Sequence, residues 1–320
     1  MLKVAIGIPT YRDFERISNL LASIFMFTPT DIDFKIVCLD DGTPDKEKVE
    51  GLREVCKSYG VPLIENEKNM GIPYSWNRLT EYYDDTDIQV LFNDDICVND
   101  SNWLKSVVYF FENNKDIGSV GWNLIQIDHT TGSADSRYSQ PNYDIPAGRV
   151  GSPVGCSFAF TRKHWKEIIN PDGSIGFCEM LRSFYEETWF GFAQAEKGWL
   201  SYHVPYPAHE HWGSQTFSKN AELSTTEFNE YMSKEEYIEI MKKHPGGSSI
   251  SIEQHIGLAD EKGLAYRMDL SRAIFAKYWK AKDYWNVPQV EVHAKLEINE
   301  RPTRMIKYLD KDMIEREVEA

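Results

Sequence analysis

The chain has 320 residues, 42% of them hydrophobic, and a formal charge of −15. That length suits one large α/β domain with an appended segment, and it buries enough apolar surface to fold without a disulfide framework. The acidic balance argues against nonspecific nucleic-acid binding by the whole surface. No run approaches the roughly 18 apolar residues of a membrane span.

The five cysteines (Cys38, Cys56, Cys97, Cys156 and Cys178) are scattered and lack CxxC spacing, so they read as small core residues of a reducing compartment. With no apolar leader before the first strand-like segment, the expectation is a soluble, cytoplasmic protein. The charge is uneven: residues 262–311 carry eleven Lys and Arg against six Asp and Glu. A solvated helical face accounts for that excess; a surface for an anionic partner is the alternative.

Along the first half, β-branched runs alternate with amphipathic stretches, the pattern of a mostly parallel, Rossmann-like sheet flanked by helices. Residues 3–9 (KVAIGIP) predict a strand ending at Pro9, and Arg16 to Phe27 a helix, with Ile17, Leu20, Leu21 and Ile24 on one face. Residues 34–40 (FKIVCLD) predict a second strand, closed by Asp41-Gly42, followed by a helix from Asp45 to Tyr59. A third strand over 62–67, a helix from Ile72 to Tyr82 and a fourth strand over 88–94 (IQVLFND) complete the series. The last strand is apolar until it meets Asn93, Asp94 and Asp95, which places them at the carboxyl edge of a buried sheet, where open α/β sheets bind ligands.

A helix follows from Trp103 to Asn113, then a polar stretch from Asp128 to Arg149 that reads as a loop. Residues 155–163 return to strand character, Glu179 to Lys197 is aromatic and partly helical, and Tyr202 to Pro207 is a further short strand. From about Lys234 the pattern is helical, with breaks at Pro245-Gly246-Gly247 and Pro288.

Asp94 and Asp95 are the centre of the functional case. Adjacent carboxylates repel unless a cation or strong donors lie between them, and a divalent ion held there offsets the charge of a departing diphosphate. Asp40 and Asp41 end the second strand, where their carboxylates suit a base imide or ribose hydroxyls as well as a turn or helix cap. Pro9, Thr10 and Tyr11 form the opposite wall of the crevice, with Tyr11 available to stack on a base. Asn69-Met70-Gly71 precedes a helix whose first amides can face an anion. On that helix lie Asn77 and Arg78, and Arg78 suits either a phosphate or a pairing with Glu81 or Asp84.

His209-Glu210-His211-Trp212 falls in the loop expected after residue 207. Either imidazole suits manganese or zinc beside carboxylates, and a structural pair is the plainer reading. Glu186-Glu187 supplies a candidate base for an acceptor hydroxyl, since a carboxylate beside a like charge is raised toward a useful range.

In this order, IPTYR, LDDGTPD, NMGIPYSWN and LFNDDICV, then GCSFAFTRK, FYEETWFGF and HEHWGSQT, resemble the family 2 glycosyltransferases with the A-type nucleotide-diphospho-sugar transferase fold. The resemblance covers about residues 1–218, a donor half to about 100 and an acceptor half beyond it, leaving 219–320 as a mainly helical extension. It implies a sugar-nucleotide donor, Mn2+ or Mg2+, and transfer to a hydroxyl with inversion. Thr10, Asp40 and Asp41 match nucleoside-binding positions. Asp94 and Asp95 match the last two positions of the DxD motif, Asp95 being the metal ligand, while Asn93 departs from its first acid. His211, with His209 as the alternative register, matches an extra metal ligand. Glu187 matches the base, one methylene longer than the family's aspartate.

The same fold also serves nucleotidyl transfer and non-catalytic sugar-nucleotide binding. Nucleotidyl transfer normally asks for a glycine-rich loop after the first strand, and residues 8–13 (IPTYRD) have none. A saccharide or glycan is the default acceptor. The basic 262–311 segment, where Tyr278, Trp279, Tyr284 and Trp285 are interleaved with lysines, also permits a modified nucleic-acid base. A helical cap or homo-oligomer interface is the plainer account of it.

Overall fold

A computed structural model describes residues 2–29, 31–127, 147–153, 155–212, 224–243, 250–279 and 303–319. The central sheet is built first from β1 (Val4–Thr10), β2 (Phe34–Asp40), β3 (Leu63–Glu65) and β4 (Ile88–Phe92), all mutually parallel and ordered β3-β2-β1-β4. Helices α1 (Phe14–Phe27), α2 (Lys46–Tyr59) and α3 (Ile72–Tyr82) make the crossovers. The chain steps outward from β1 to β3 and then returns to lay β4 against β1, which puts the topological switch point between those two strands.

The local chemistry explains the boundaries. The Asp13 side chain caps α1 by accepting from the Arg16 N–H, and the Asp45 side chain caps α2 by accepting from the Glu47 and Lys48 N–H groups. Helix α2 ends at Gly60, whose φ of 65° is the left-handed C-cap conformation. On α1, Ile17, Leu20, Leu21 and Ile24 are fully buried against the sheet, as their spacing requires.

Beyond β4 the sheet turns mixed. Its remaining members are β5 (Ile96–Cys97), β6 (Ile117–Gln126), β7 (Gly148–Val150), β8 (Ser157–Thr161) and β9 (Leu200–His211), in the order β4-β8-β6-β9-β5 with β7 also on β9. Strand β8 runs antiparallel to β4, and its extent is shorter than the expected 155–163 because Arg162 already opens α5 (Arg162–Glu167). Helix α4 (Trp103–Asn113) has the expected bounds. Helix α6 (Glu186–Glu196) occupies the later part of the aromatic stretch.

Two features depart from the sequence expectation. Strand β6 is a ten-residue strand that its polar content conceals: the Ser119 hydroxyl bonds Gln194 and Ser201, and Asn123 Oδ1 bonds His203 Nε2 at 2.8 Å, so these polar groups find partners inside the core. Strand β9 does not stop at Pro207. It crosses a register irregularity, where Trp122 pairs with Val204 and Asn123 with Ala208, and continues to His211. The histidine pair therefore lies in a strand rather than a loop.

The C-terminal stretch holds α7 (Lys234–Lys243), α8 (Ile252–Lys262) and α9 (Arg267–Trp279), together with two short hairpin sheets, β10 (Thr225–Glu227) with β11 (Leu264–Tyr266) and β12 (Met305–Leu309) with β13 (Glu315–Glu319). Phe275 and Trp279 of α9 pack on Trp189 and Phe192 of α6 in one apolar cluster, and Ile306 of β12 enters the main core. The expected loop from 128 lies outside the described residues as far as 146, and so do both expected helix breaks, at 245–247 and at Pro288.

No described helix is long and apolar enough to cross a membrane, and all five cysteine thiols are unpaired.

One turn positions everything at the end of β2. Gly42 has φ of 74°, and a Cβ there would sit 2.1 Å from the carbonyl carbon of Lys68. Gly42→Ala should therefore cost more than the roughly 1 kcal/mol of left-handed strain alone, because the 68–71 loop must also move. Urea denaturation of the variant checks this as a lowered midpoint with an unchanged slope.

Candidate active site

The carboxyl ends of β1, β2 and β4 open into one crevice, lined among others by Thr10, Tyr11, Asp41, Asn69, Asp94 and Asp95. Pro9 and Gly71 also line it, as does Asn93. Eight of the expected residues thus meet at the switch point although they come from four separate segments. Their convergence follows from the parallel β2-β1-β4 order, which sets Thr10 beside Asp40 in register and brings the ends of β1 and β4 side by side.

Across that switch point the Thr10 hydroxyl donates to Asp94 Oδ2 at 2.6 Å, and the Arg16 guanidinium lies 3.7 Å from Oδ1. The Asp94 carboxyl is nonetheless pushed up to about 7, first by burial and then by the neighbouring charge of Asp95. Asp95 is equally buried. Its Oδ2 lies 3.3 Å from His211 Nε2, while Oδ1 has no hydrogen-bond partner. The short β5–β9 ladder produces this meeting, because Ile96 pairs with His211 and the Trp212 N–H donates to the Asp95 carbonyl at 2.8 Å.

A buried carboxylate oxygen without a donor is costly in water-free surroundings unless a cation faces it. Asp95 with His211 suits a hard divalent ion. Among the described residues no third His, Cys, Asp or Glu joins them, so the remaining coordination must come from water and ligand oxygens, as is usual for Mg2+ at phosphate sites.

Asp41 has a different task. Its carboxylate accepts from Asn66 Nδ2 at 2.7 Å, the Met70 N–H at 2.8 Å and the Gly71 N–H at 3.0 Å, which pins the 69–71 loop as the crevice wall. Burial raises its carboxyl against those three donors. Asp40 is used beside the crevice, where it accepts from the Thr43 hydroxyl at 2.6 Å and from the Thr43 N–H. It holds the turn.

Three expected site residues are drawn away by packing. Asn77 is buried and doubly committed, donating to the Phe177 carbonyl at 2.8 Å and accepting from the Phe177 N–H at 2.9 Å. Arg78 donates to Asn66 Oδ1 and to the Glu65 carbonyl, which turns it from the crevice. His209 is fully buried, ringed by Phe92, Trp103 and Trp122, and accepts from the Trp122 indole at 3.0 Å through Nδ1. Burial pushes it down to about 3, so it is neutral. His209 and His211 share a strand face, yet only His211 reaches Asp95.

Glu186 and Glu187 open α6 directly after Phe184 and Tyr185, two residues with φ of 67° and 66°. Consecutive left-handed residues without glycine are strained, and such strain gathers at functional sites. The turn delivers the two acids to different surroundings. The Glu187 carboxyl lies against Gly155, where an added Cβ would come 2.9 Å from its Cδ. It also shares the neighbourhood of Asp95: the Cys156 thiol is pushed up first by burial and then by the charges of Asp95 and Glu187. Glu186 is buried, its Oε2 has no partner, and burial with the Glu187 charge drives its carboxyl well above the usual range. Glu187 is also raised, chiefly by burial.

Sequence reasoning missed the cations of the crevice. Arg182 and Arg267 both line it, with Ser183. Arg182 donates to the Met70 carbonyl at 2.9 Å, and Arg267 reaches Asn69 Oδ1 at 3.4 Å. Arg267 is buried, and its guanidinium is lowered first by desolvation and next by the like charge of Arg182, while Asp41 and Tyr11 oppose the shift. Nothing local marks either residue. Arg182 stands in an irregular segment, and Arg267 begins α9, some 170 residues after Asp95 in a stretch whose basic excess reads as a solvated face.

The crevice therefore has two electrostatic sides. Asp95 and His211 can face a cation, and two guanidiniums can hold an anion. This is the charge pattern of a site for a metal-bound diphosphate.

The family model described as Glycosyl transferase family 2 matches residues 5–189, more than half of the chain. Among curated proteins none matches. Among solved structures, the mannosyltransferase PcManGT from Pyrobaculum calidifontis in complex with GDP-Man and Mn2+ aligns with a TM-score of 0.51 at 13% identity, over 93% of this chain and 75% of that one. GalNAc-T7 with UDP, GalNAc and Mn2+ aligns with a TM-score of 0.54 at 13% identity, over 93% of this chain, which spans 55% of that protein. At such identity the likeness is one of fold, the A-type glycosyltransferase fold. Both the family match and the shared fold lead to one statement: the chain belongs to glycosyl transferase family 2 and is a glycosyltransferase.

Proposed function

We propose that the chain moves a sugar from a nucleoside-diphosphate donor to a hydroxyl of a saccharide or glycan acceptor, with inversion, using Mn2+ or Mg2+. The observation that carries this reading is the pairing of a carboxylate–imidazole cluster with two guanidiniums across one crevice. The fold relatives support the donor class, since one is a complex with GDP-Man and Mn2+ and the other with UDP, GalNAc and Mn2+.

In this reading Tyr11 and the Asp41-braced loop receive the nucleoside. Arg267, with Arg182 behind it, neutralises the diphosphate. Asp95 and His211 hold the divalent ion, which when bound stabilises the charge that develops on the departing diphosphate. Asp94, bonded to Thr10, is the neighbour that keeps Asp95 in place and faces the donor. Glu187 takes the proton from the acceptor hydroxyl as that oxygen attacks the anomeric carbon from the side opposite the leaving group. Burial raises its carboxyl, which makes the carboxylate a stronger base than a solvated one. Glu186 supports it from below as a buried neighbour and has no contact with substrate.

Four substitutions separate these roles. Asp95→Ala should abolish the Mn2+ dependence of nucleoside-diphosphate binding in calorimetry and lower turnover by at least about a hundredfold. Glu187→Gln should leave donor affinity intact and lower turnover by roughly 10²–10⁴. Wild-type turnover in that variant would remove Glu187 from the mechanism. Arg267→Ala should weaken donor binding by about tenfold, in line with loss of a charge-assisted contact of about 1.4 kcal/mol.

Glu186→Gln is expected to act through stability. The folded carboxyl is raised, whereas the unfolded one ionises near about 4.3. Above that pH the unfolded state of the wild type gains ionisation that the folded state resists, so the wild type loses stability that the variant keeps. The melting temperature of the variant should pull ahead of wild type as pH rises through 5 to 7 and level off once the folded carboxyl ionises, by about 2–4 °C per kcal/mol. Parallel pH profiles for the two proteins would contradict this.

A further inference from the structure

A second cavity of about 680 Å3 lies at the opposite end of the sheet, lined by Leu2 before β1, by Asp87 and Ile88 at the start of β4, and by Thr161 at the end of β8. Six residues separate Ile88 from Asp94, so about 20 Å of strand divides this cavity from the catalytic acids. Its other walls are basic: Arg162, Lys163, His164 and Lys166 follow β8, and Lys115 follows α4.

Arg162 is the decisive residue. It is 3% exposed, and both Nε and Nη1 are buried without a hydrogen-bond partner. Its backbone N–H donates to the Asp87 carbonyl at 3.0 Å, which anchors the residue at the end of β8, and its guanidinium lies 5.9 Å from the Trp165 ring centre. A guanidinium stripped of water and given no acceptor is among the more costly arrangements a fold can hold, unless something else supplies the acceptors. The acids nearby do not do so. Asp84, Asp85 and Glu81 act on Arg162 through distance alone, Asp85 is paired with Lys35 at 2.8 Å, and Asp87 Oδ2 accepts from the Lys3 N–H at 2.9 Å.

The next residue inward repeats the pattern. His164 is 5% exposed, its ring stacks on Trp199 at 4.1 Å, and its Nδ1 is buried without a partner. Lys115, Lys163 and Lys166 are exposed around it. Glu112 is the further acid on the wall, so the lining carries four permanent cations against two carboxylates. In a chain with a formal charge of −15 this local inversion is pronounced.

We propose that this cavity is a second anion site, separate from the donor crevice, which binds a small phosphate-bearing molecule on the Arg162 guanidinium with the surrounding lysines. The unpartnered Nε and Nη1 groups of Arg162, on two edges of the guanidinium, leave charge-assisted donors for phosphate oxygens. The lysines add long-range attraction that salt screens.

Calorimetric titration of the full chain with inorganic phosphate, and then with glycerol phosphate, tests the site. Wild type should bind one equivalent of each, and Arg267→Ala, which alters the donor crevice, should bind them equally well. Arg162→Met should weaken binding at least tenfold, and its melting temperature in phosphate-free buffer should equal or exceed that of wild type, because an unpartnered buried charge has been removed. The Lys163→Ala/Lys166→Ala double variant, changed at exposed positions, should weaken binding several-fold and serves if Arg162→Met does not fold. Absence of phosphate binding by wild type overturns the proposal. So does wild-type affinity in Arg162→Met or in the double variant, or loss of binding in Arg267→Ala.

Discussion

Two carboxylates at the end of a buried strand cannot both be charged without help, and much of the crevice supplies that help. Asp94 receives the Thr10 hydroxyl at 2.6 Å and the Arg16 guanidinium at 3.7 Å, yet its carboxyl still rises to about 7. Asp95 keeps one oxygen without a donor and sets the other against His211. Partial satisfaction of this kind destabilises the free protein, and a divalent ion bound there would remove the imbalance.

The fold makes this meeting unavoidable. A sheet ordered β3-β2-β1-β4 brings three strand ends to one rim, and the β5–β9 ladder then delivers His211 to Asp95. The donor half was legible in the sequence because parallel strands buried on both faces are apolar until they reach the rim, so polar residues such as Thr10, Asp41 and Asp94 mark the edge itself. The rest was concealed for specific physical reasons. Strand β6 pairs its serine and asparagine with buried partners, which erases alternation, and β9 passes two prolines that look like an end. Asn77, Arg78 and His209 carry the side chains that a site would use, but neighbours distant in sequence claim them: Phe177 for Asn77, and Trp122 for His209. Periodicity carries no information about such partners.

Arginines 182 and 267 illustrate the converse. Their place at the crevice is a matter of position alone, and for Arg267 that position arises from packing between α6 and α9. Phe275 and Trp279 stack against Trp189 and Phe192, which fixes the start of α9 over the crevice and drives Arg267 into it. The same helix sends the Arg272 guanidinium to the Tyr185 hydroxyl at 2.8 Å, beside the strained pair that aims Glu187. The C-terminal stretch thus touches both ends of the proposed reaction, the diphosphate through Arg267 and the base through Tyr185.

This dual contact bears on how the chemistry is kept productive. In the proposed reading the Arg267 guanidinium attracts the diphosphate directly and Asp95 does so only through a divalent ion, and the diphosphate charge would offset the mutual repulsion of Arg182 and Arg267. Helix α9 holds Arg267 at the crevice and, through Arg272, the Tyr185 hydroxyl in the turn that carries Glu187. The proposed donor seat and base would then share one apolar support, the packing of α9 on α6. A shared support of that kind would fix the base relative to a donor already held, the positioning that direct displacement requires.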